Sequence, residues 1–230
     1  MNIAILDLCS PDPIFDSHGT ASELSANWLG PHLPEAALTR IVISGGAPLP
    51  AVEEYDGYVL TGSEKGVYDD TPWMEPLKAF LRDLKAACRP VYGICFGHQV
   101  MAEAYGGKAE KADKGMVVGA LKFDTCDGSV NAIAMHQDQV TGVPPGARVT
   151  ASAAYCPVAA LAYDFPALST QFHPEYTPGL VDDALVAFEG HLLSSAEADA
   201  ARKTMAIDVP EDLYVAEVAD FFRRNVTSGT

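Results

Sequence analysis

Residues 90–99 read Pro90-Val91-Tyr92-Gly93-Ile94-Cys95-Phe96-Gly97-His98-Gln99, and this stretch decides the fold of the chain. Its first half is a short apolar run, which is typical of a buried strand. The segment 97–104 follows without a linker and predicts a helix, which a pair of glycines ends. A buried strand that runs directly into a helix is the repeating unit of an α/β sheet. A cysteine lies at this junction, between two glycines.

The same alternation precedes this stretch. Short β-branched or apolar runs at 3–6, 40–43 and 57–60 are separated by amphipathic segments at 22–29 and 73–87. This order is typical of a parallel sheet with helices on both faces. We therefore predict a three-layer α/β sandwich with a mainly parallel central sheet.

The second half of the chain has a different pattern. Apolar runs within 115–163 are separated by Gly, Pro and Asp turns, which predicts a small antiparallel insertion. A last core strand is expected at 167–172 and a helix at 180–192. We predict one domain over residues 1–193 and a C-terminal helical extension over 194–230, packed on that same domain.

The extension should end in an amphipathic helix. Asp208 and Glu211 have capping-box spacing, with Pro210 in the first turn. Apolar residues at helical spacing form one stripe, which we expect to pack on the chain's own domain rather than on a second chain: Val215, Val218, Ala219, Phe222 and Val226.

Composition excludes several classes of protein. The 230 residues carry 15 Lys and Arg against 31 Asp and Glu, a net charge of −16, which argues against nucleic acid or an anionic membrane as partner. No apolar run approaches the roughly 18 residues of a membrane span, and no basic segment of a signal peptide opens the chain. The five cysteines include no CxxC, and the histidines lack metal-site spacing, so we expect neither disulfides nor a metal. A cytoplasmic protein is expected.

The cysteine between two glycines has the layout of a nucleophile elbow. Gly93 and Gly97 would avoid collisions around a strained turn, and the following helix points its positive end at the sulfur, which favours thiolate. The backbone N–H of Phe96 would face the oxygen of a carbonyl under attack. Gln99, four residues beyond Cys95, would lie on the same helical face. The alternative interpretation is a small core cysteine.

A second motif, Gln171-Phe172-His173-Pro174-Glu175-Tyr176, follows the last predicted core strand. Residues two apart in extended chain project to the same side, so His173 and Glu175 can pair. The carboxylate would then hold one ring nitrogen while the other faces a thiol. Alone, the same residues would also suit a turn with a surface carboxylate.

Together the two motifs resemble the class I glutamine amidotransferase family, over roughly residues 1–191, in the form of a stand-alone domain similar to that of GMP synthase. The resemblance implies a flavodoxin-like fold and a triad of Cys95 as nucleophile, His173 as base and Glu175 as its orienter. Residues 60–69 look like the family's oxyanion loop and residues 135–138 like its glutamine-contacting loop. The implied substrate-binding residues are Gly62, Ser63, Phe96, Gln99, Gln137 and Asp138.

This sequence departs from the family pattern in one loop. Ser63 stands where many members have Gly, and Glu64 replaces a common Pro. A backbone N–H can still serve an oxyanion whatever the side chain. We therefore expect the loop to keep its role with a different local conformation.

The resemblance implies hydrolysis of the glutamine amide through a γ-glutamyl thioester, without metal or cofactor. Ammonia would pass to a separate acceptor synthase subunit, because the residues after 194 are too few for such a domain. The first alternative is a stand-alone γ-glutamyl hydrolase or peptidase that uses the same triad. The second alternative is a non-catalytic regulatory or binding module of the same fold.

Overall fold

The computed structural model describes residues 1–113 and 115–226. Its strands are β1 (Asn2–Asp7), β2 (Ala37–Val42), β3 (Gly57–Leu60), β4 (Val91–Ile94), β5 (Lys108–Lys111), β6 (Val117–Thr125), β7 (Gly128–His136), β8 (Asp138–Gly142), β9 (Ala147–Ala153), β10 (Cys156–Tyr163) and β11 (Ala167–Thr170). Its α-helices are α1 (Ala21–Leu29), α2 (Met74–Ala86), α3 (Phe96–Ala104), α4 (Pro178–Phe188), α5 (Ser195–Thr204) and α6 (Val215–Asn225). Short 3-10 helices lie at Pro13–Phe15 and Gly30–His32.

One sheet organises the molecule, with the strand order β2-β1-β3-β4-β11-β10-β9-β6-β7. The first five strands in this order are parallel, and the remaining neighbours pair antiparallel. The predicted α/β class is confirmed. The antiparallel strands extend the main sheet, and within the residues that the structure describes only β5 and β8 pair apart from it.

Helices cover both faces of the parallel strands. On one face, side chains of β1 and β3 such as Leu6 and Leu60 pack with residues of α2 and α3 such as Leu81 and Val100. On the other face, Ile3, Ile5, Val59 and Tyr92 pack with α1 and α6. The alternation of side chains along each strand therefore supplies two cores, one per face.

Helix α6 contributes its apolar stripe to the second core. Val215, Val218, Ala219 and Phe222 are buried there, and Phe222 has no exposed surface. Trp28 of α1 lies in the same cluster. The division of the chain at residue 193 stays a prediction.

The predicted start of α6 was wrong. Asp208 and Glu211 form no capping box, because α6 starts only at Val215, after Tyr214 in a left-handed conformation with φ of 60°. An unpredicted helix, α5, precedes it and has the capping box instead, between Ser194 and Glu197.

Helix α4 ends at Phe188, four residues before the predicted end at 192. Gly190 follows with φ of 81°, a backbone conformation that stops a helix and suits glycine. In the described part of the chain, no helix is both long and apolar enough to cross a membrane.

Candidate active site

Cys95 lies on the turn between β4 and α3, in a strained backbone conformation with φ of 53°. A Cβ atom at Gly93 would lie 2.5 Å from Met101 Sδ and 2.7 Å from the carbonyl of Gly97. A Cβ atom at Gly97 would lie 2.7 Å from the carbonyl oxygen of Leu60. Both glycines are therefore required where they stand, and the turn presents the sulfur at the N-terminus of a helix.

His173 and Glu175 meet as their spacing predicts. Glu175 Oε1 lies 2.8 Å from His173 Nδ1, and each side chain is 2% exposed. The backbone N–H of His173 donates to the carbonyl of Ile133 at 2.8 Å, which fixes the segment against β7. The ring of Tyr176 stacks on the imidazole, with centroids 3.8 Å apart. The carboxylate and the stacked ring thus hold the imidazole, on a segment that is fixed to β7.

Charge in this group favours a protonated imidazole. Burial opposes the charge, but Glu175 and the nearby Cys95 outweigh it and raise the pKa of His173 above its ordinary value. A Cβ atom at Gly62 would lie 3.2 Å from His173 Cε1 and 3.8 Å from Cys95 Cβ, so the loop before α2 closes over both side chains. The arrangement favours an imidazolium beside the Cys95 side chain.

Glu64, which replaces a common Pro of the family, anchors the loop of residues 62–65. Glu64 Oε2 accepts from the backbone N–H of Ser10 at 3.1 Å, and Glu64 Oε1 pairs with Lys65 at 3.2 Å. The Ser63 hydroxyl accepts from the N–H of Lys65 at 3.2 Å. Glu64 therefore ties the loop to the segment after β1, whereas Ser63 forms a hydrogen bond within the loop.

Gln99 lines the cleft with Cys95, and its side chain is also hydrogen-bonded within the protein. Its side-chain amide donates to the carbonyl of Asp138 at 2.9 Å and to Gln171 Oε1 at 3.2 Å. Both amide hydrogens are thus used within the protein, because a primary amide has two. The geometry favours a role for Gln99 in holding the loop at Asp138, rather than in donating to substrate.

Gln171 is a site residue that the sequence reasoning missed. Its Nε2 donates to Cys95 Sγ at 3.5 Å, and the side chain is fully buried. The spacing could have indicated it, since Gln171 lies two residues before His173 and therefore on the same side of an extended segment. Through Gln99, this amide also connects the sulfur to the turn at Asp138.

The turn between β7 and β8 carries Gln137 and Asp138 to the site. His136, just before it, lies 3.0 Å through Nδ1 from the carbonyl of Asp138. Burial lowers the pKa of His136 to about 3, so the ring is neutral and Nδ1–H donates to that carbonyl. His136 thus shapes the turn.

A cleft of about 530 Å³ joins these parts. Its lining includes most of the predicted site residues: Gly62, Ser63, Cys95, Gln99, Gln137, Asp138 and His173. Phe96 and Glu175 are buried behind it, with the Phe96 side chain packed on Trp73. Phe96 can therefore reach a substrate only through its backbone N–H, which has no partner within the helix because it lies in the first turn.

Within residues 1–113 and 115–226, no group of three His, Cys, Asp or Glu side chains is arranged to hold a metal ion.

The chain is similar in sequence to glutamine amidotransferases and to γ-glutamyl peptidases. The family model "Glutamine amidotransferase class-I" matches residues 33–191. Gamma-glutamyl peptidase 4 of Arabidopsis thaliana is 27% identical over 219 residues, which are 87% of each chain. Gamma-glutamyl peptidase 5 of the same plant is 30% identical over 177 residues, 70% of each chain. The GMP synthase of Thermus thermophilus is 36% identical over 159 residues, which are 64% of this chain and 30% of the synthase.

Solved structures share the fold. A glutamine amidotransferase from Thermotoga maritima superposes with a TM-score of 0.76 at 16% identity, over 99% of this chain and 98% of that one. A glutamine amido transferase from Methylobacillus flagellatus gives 0.74 at 20% identity, over 99% and 96% of the two chains. The predicted flavodoxin-like architecture is thereby confirmed. The chain therefore belongs to the class I glutamine amidotransferase family, as an enzyme of the cysteine hydrolase type.

Proposed function

We propose that this protein hydrolyses γ-glutamyl amide bonds through a thioester on Cys95. The observation that carries the proposal is the buried pair of His173 and Glu175, 2.8 Å apart, beside a cysteine on a strained elbow. Glutamine is the simplest compound with such a bond. The same chemistry serves an amidotransferase and a peptidase.

In the first half of the reaction, the Cys95 thiolate attacks the γ-carbonyl carbon and its electron pair forms the S–C bond. The carbonyl oxygen takes the negative charge, which the N–H of Phe96 and the backbone of Gly62 and Ser63 stabilise. When the C–N bond breaks, the His173 imidazolium gives its proton to the leaving nitrogen. Ammonia or an amine departs, and the γ-glutamyl group stays on the sulfur.

In the second half, water attacks the thioester. His173, now neutral, accepts a proton from the water as the C–O bond forms. The S–C bond then breaks, glutamate leaves, and thiolate and imidazolium are restored. Glu175 stabilises the imidazolium in both halves and fixes its Nδ1–H.

The destination of the amine separates the two candidates. As an amidotransferase, this protein would pass its ammonia to a synthase subunit, and the part of the Thermus GMP synthase that is similar to this chain makes up 30% of that protein. The peptidases match over most of both chains, as in the 87% of gamma-glutamyl peptidase 4. The open cleft of about 530 Å³ also favours the stand-alone peptidase. We place the reaction in the cytoplasm, because the cysteine usage is typical of a reducing compartment.

Glutamate release tests the proposal. Purified protein is incubated with glutamine and with a panel of γ-glutamyl amides, and glutamate is measured with the Cys95→Ser variant in parallel. We expect release by the wild type and none by the variant, because serine is barely ionised beside this base. Equal release by both proteins, or none by the wild type on any compound, would contradict the proposal.

A further inference from the structure

The cleft has two unlike walls. One wall is polar and contains the loop from Gly62 to Asp69 and the turn at Gln137 and Asp138. The other wall is largely apolar, with side chains from the first 3-10 helix, the segment before β6 and the end of α4: Ile14, Phe15, Met116, Phe188 and Leu192. Hydrolysis of glutamine itself uses only the polar wall, because ammonia has no apolar group to bind.

The apolar wall lies on the side where the leaving group must be. His173 gives its proton to the leaving nitrogen, so this nitrogen sits against the imidazole. The ring of Tyr176 stacks on that imidazole at 3.8 Å, and the ring of Phe15 meets Tyr176 edge-on at 6.5 Å. A continuous aromatic surface therefore leads from the base to the apolar wall.

The polar wall, where the acyl group would lie, has most of the charged groups of the cleft, while Asp12 stands beside the apolar wall. Lys111 pairs in register with Asp138 across β5 and β8, and both line the cleft. In the described part of the chain, Lys111 makes no ion pair, whereas Lys65 pairs with Glu64. A cation and a carboxylate here match the α-carboxylate and α-ammonium of a γ-glutamyl group.

The apolar wall is firmly built. Ile14, Met116, Tyr176 and Phe188 pack on a buried cluster formed by α4, α5 and the adjoining strands. Leu192 stands at the mouth of the cleft and is 59% exposed. Large apolar side chains left facing a cleft are typical of a ligand site.

We infer that this wall is a leaving-group subsite, and that the substrate is a γ-glutamyl amide whose nitrogen carries an apolar group. The inference rests on the proposed function and names its substrate class. The reaction is then water plus γ-glutamyl-NH-R giving glutamate plus the amine R-NH₂. A cleft of about 530 Å³ lies within the roughly 300–1,000 Å³ that encloses drug-sized ligands, which are much larger than glutamine.

Two synthetic substrates and one variant test the subsite. γ-Glutamylbenzylamide and glutamine share the acyl group and differ in the leaving group. We expect kcat/KM for the benzylamide to exceed that for glutamine by about tenfold or more. In Leu192→Asp, we expect the ratio of the two kcat/KM values to fall by about fivefold or more, because a carboxylate replaces an apolar contact.

Val186 provides a matched control. It is an apolar residue of α4 that is 71% exposed and does not line the cleft. Val186→Asp adds the same charge and should leave the ratio unchanged. A benzylamide no better than glutamine, or an equal ratio in wild type and Leu192→Asp, would overturn the subsite while glutamine hydrolysis still supports the proposed function. Absence of glutamate from every compound would overturn both.

Discussion

Replacing Glu175 by Gln removes one charge from the buried site and keeps its shape. The carboxylate lies 2.8 Å from His173 Nδ1, and both side chains are 2% exposed. Two unit charges whose centres are about 4 Å apart attract by about 4 kcal/mol at an effective dielectric constant of about 20. The neutral amide still accepts a hydrogen bond worth about 1 kcal/mol. The transition state of the second half, in which the neutral His173 becomes an imidazolium, should lose about 3 kcal/mol of stabilisation, a decrease of roughly a hundredfold in the rate of that step.

The assay is steady-state glutamate release across pH, with melting temperature measured on the same samples. Loss of the carboxylate should also lower the pKa of His173, because the charge of Glu175 is one cause of its elevation. The pH profile assigned to that group should therefore shift to lower pH. Glu211→Gln makes the same change at an exposed position and should alter neither rate nor profile.

A loss of stability in Glu175→Gln could also lower the measured rate, and the melting temperatures separate this effect from the loss of charge. Glu175 Oε2 is buried without a hydrogen-bond partner, so the amide of the variant would place unpaired donors there, at about 1–3 kcal/mol. A variant that melts lower yet keeps a hundredfold-reduced rate well below its melting temperature fits the reasoning. Activity within threefold of wild type, or activity as low as that of Cys95→Ser, would refute the role of Glu175 as orienter.

Three more outcomes are expected. A glutamine-like electrophile should label Cys95 before the other four cysteines. Cys9 is the other thiol in the cleft, and burial and Glu64 raise its pKa. Peptide mapping that finds another cysteine labelled first would contradict this prediction. Phe222→Ala should cost about 3–5 kcal/mol and lower the melting temperature by roughly 6–20 °C at any protein concentration, whereas a concentration-dependent shift would indicate an interface between chains. Burial lowers the pKa of His98 to about 4, so as pH falls below 6.5 the unfolded chain takes up a proton at this histidine before the folded protein does. The free energy of unfolding should therefore fall by up to about 1.4 kcal/mol per pH unit on account of this group. In pH-dependent denaturation curves, His98→Gln should flatten that slope, and His191→Gln, at an exposed position, should not.

The elements around the elbow could be predicted because their signals are local. The apolar run of β4, the two glycines and the helical spacing of α3 lie within fifteen residues, and each has a steric reason. The His173 and Glu175 pair follows from the two-residue period of an extended chain. The geometry of the proposed triad is therefore encoded in two short segments.

Other features depend on distant contacts that no local pattern contains. Helix α5 has only Ala198 and Ala201 as buried residues, so its apolar signal is weak. The left-handed Tyr214 that delays α6 packs its ring on Phe172, at 5.1 Å between centroids. Tertiary contacts decided both of these cases.

The position of β11 makes assembly of the active site a late event in synthesis. β11 is the last strand among the described residues, yet it lies in the middle of the sheet, between β4 and β10. Until residue 170 has left the ribosome, β4 has an unpaired edge and the Cys95 N–H lacks the Thr170 carbonyl, which it meets at 2.7 Å in the folded protein. His173 follows three residues later, so the step that closes the sheet also brings the base to the sulfur. A chain interrupted earlier therefore contains Cys95 but neither His173 nor Glu175, the other two residues of the proposed triad.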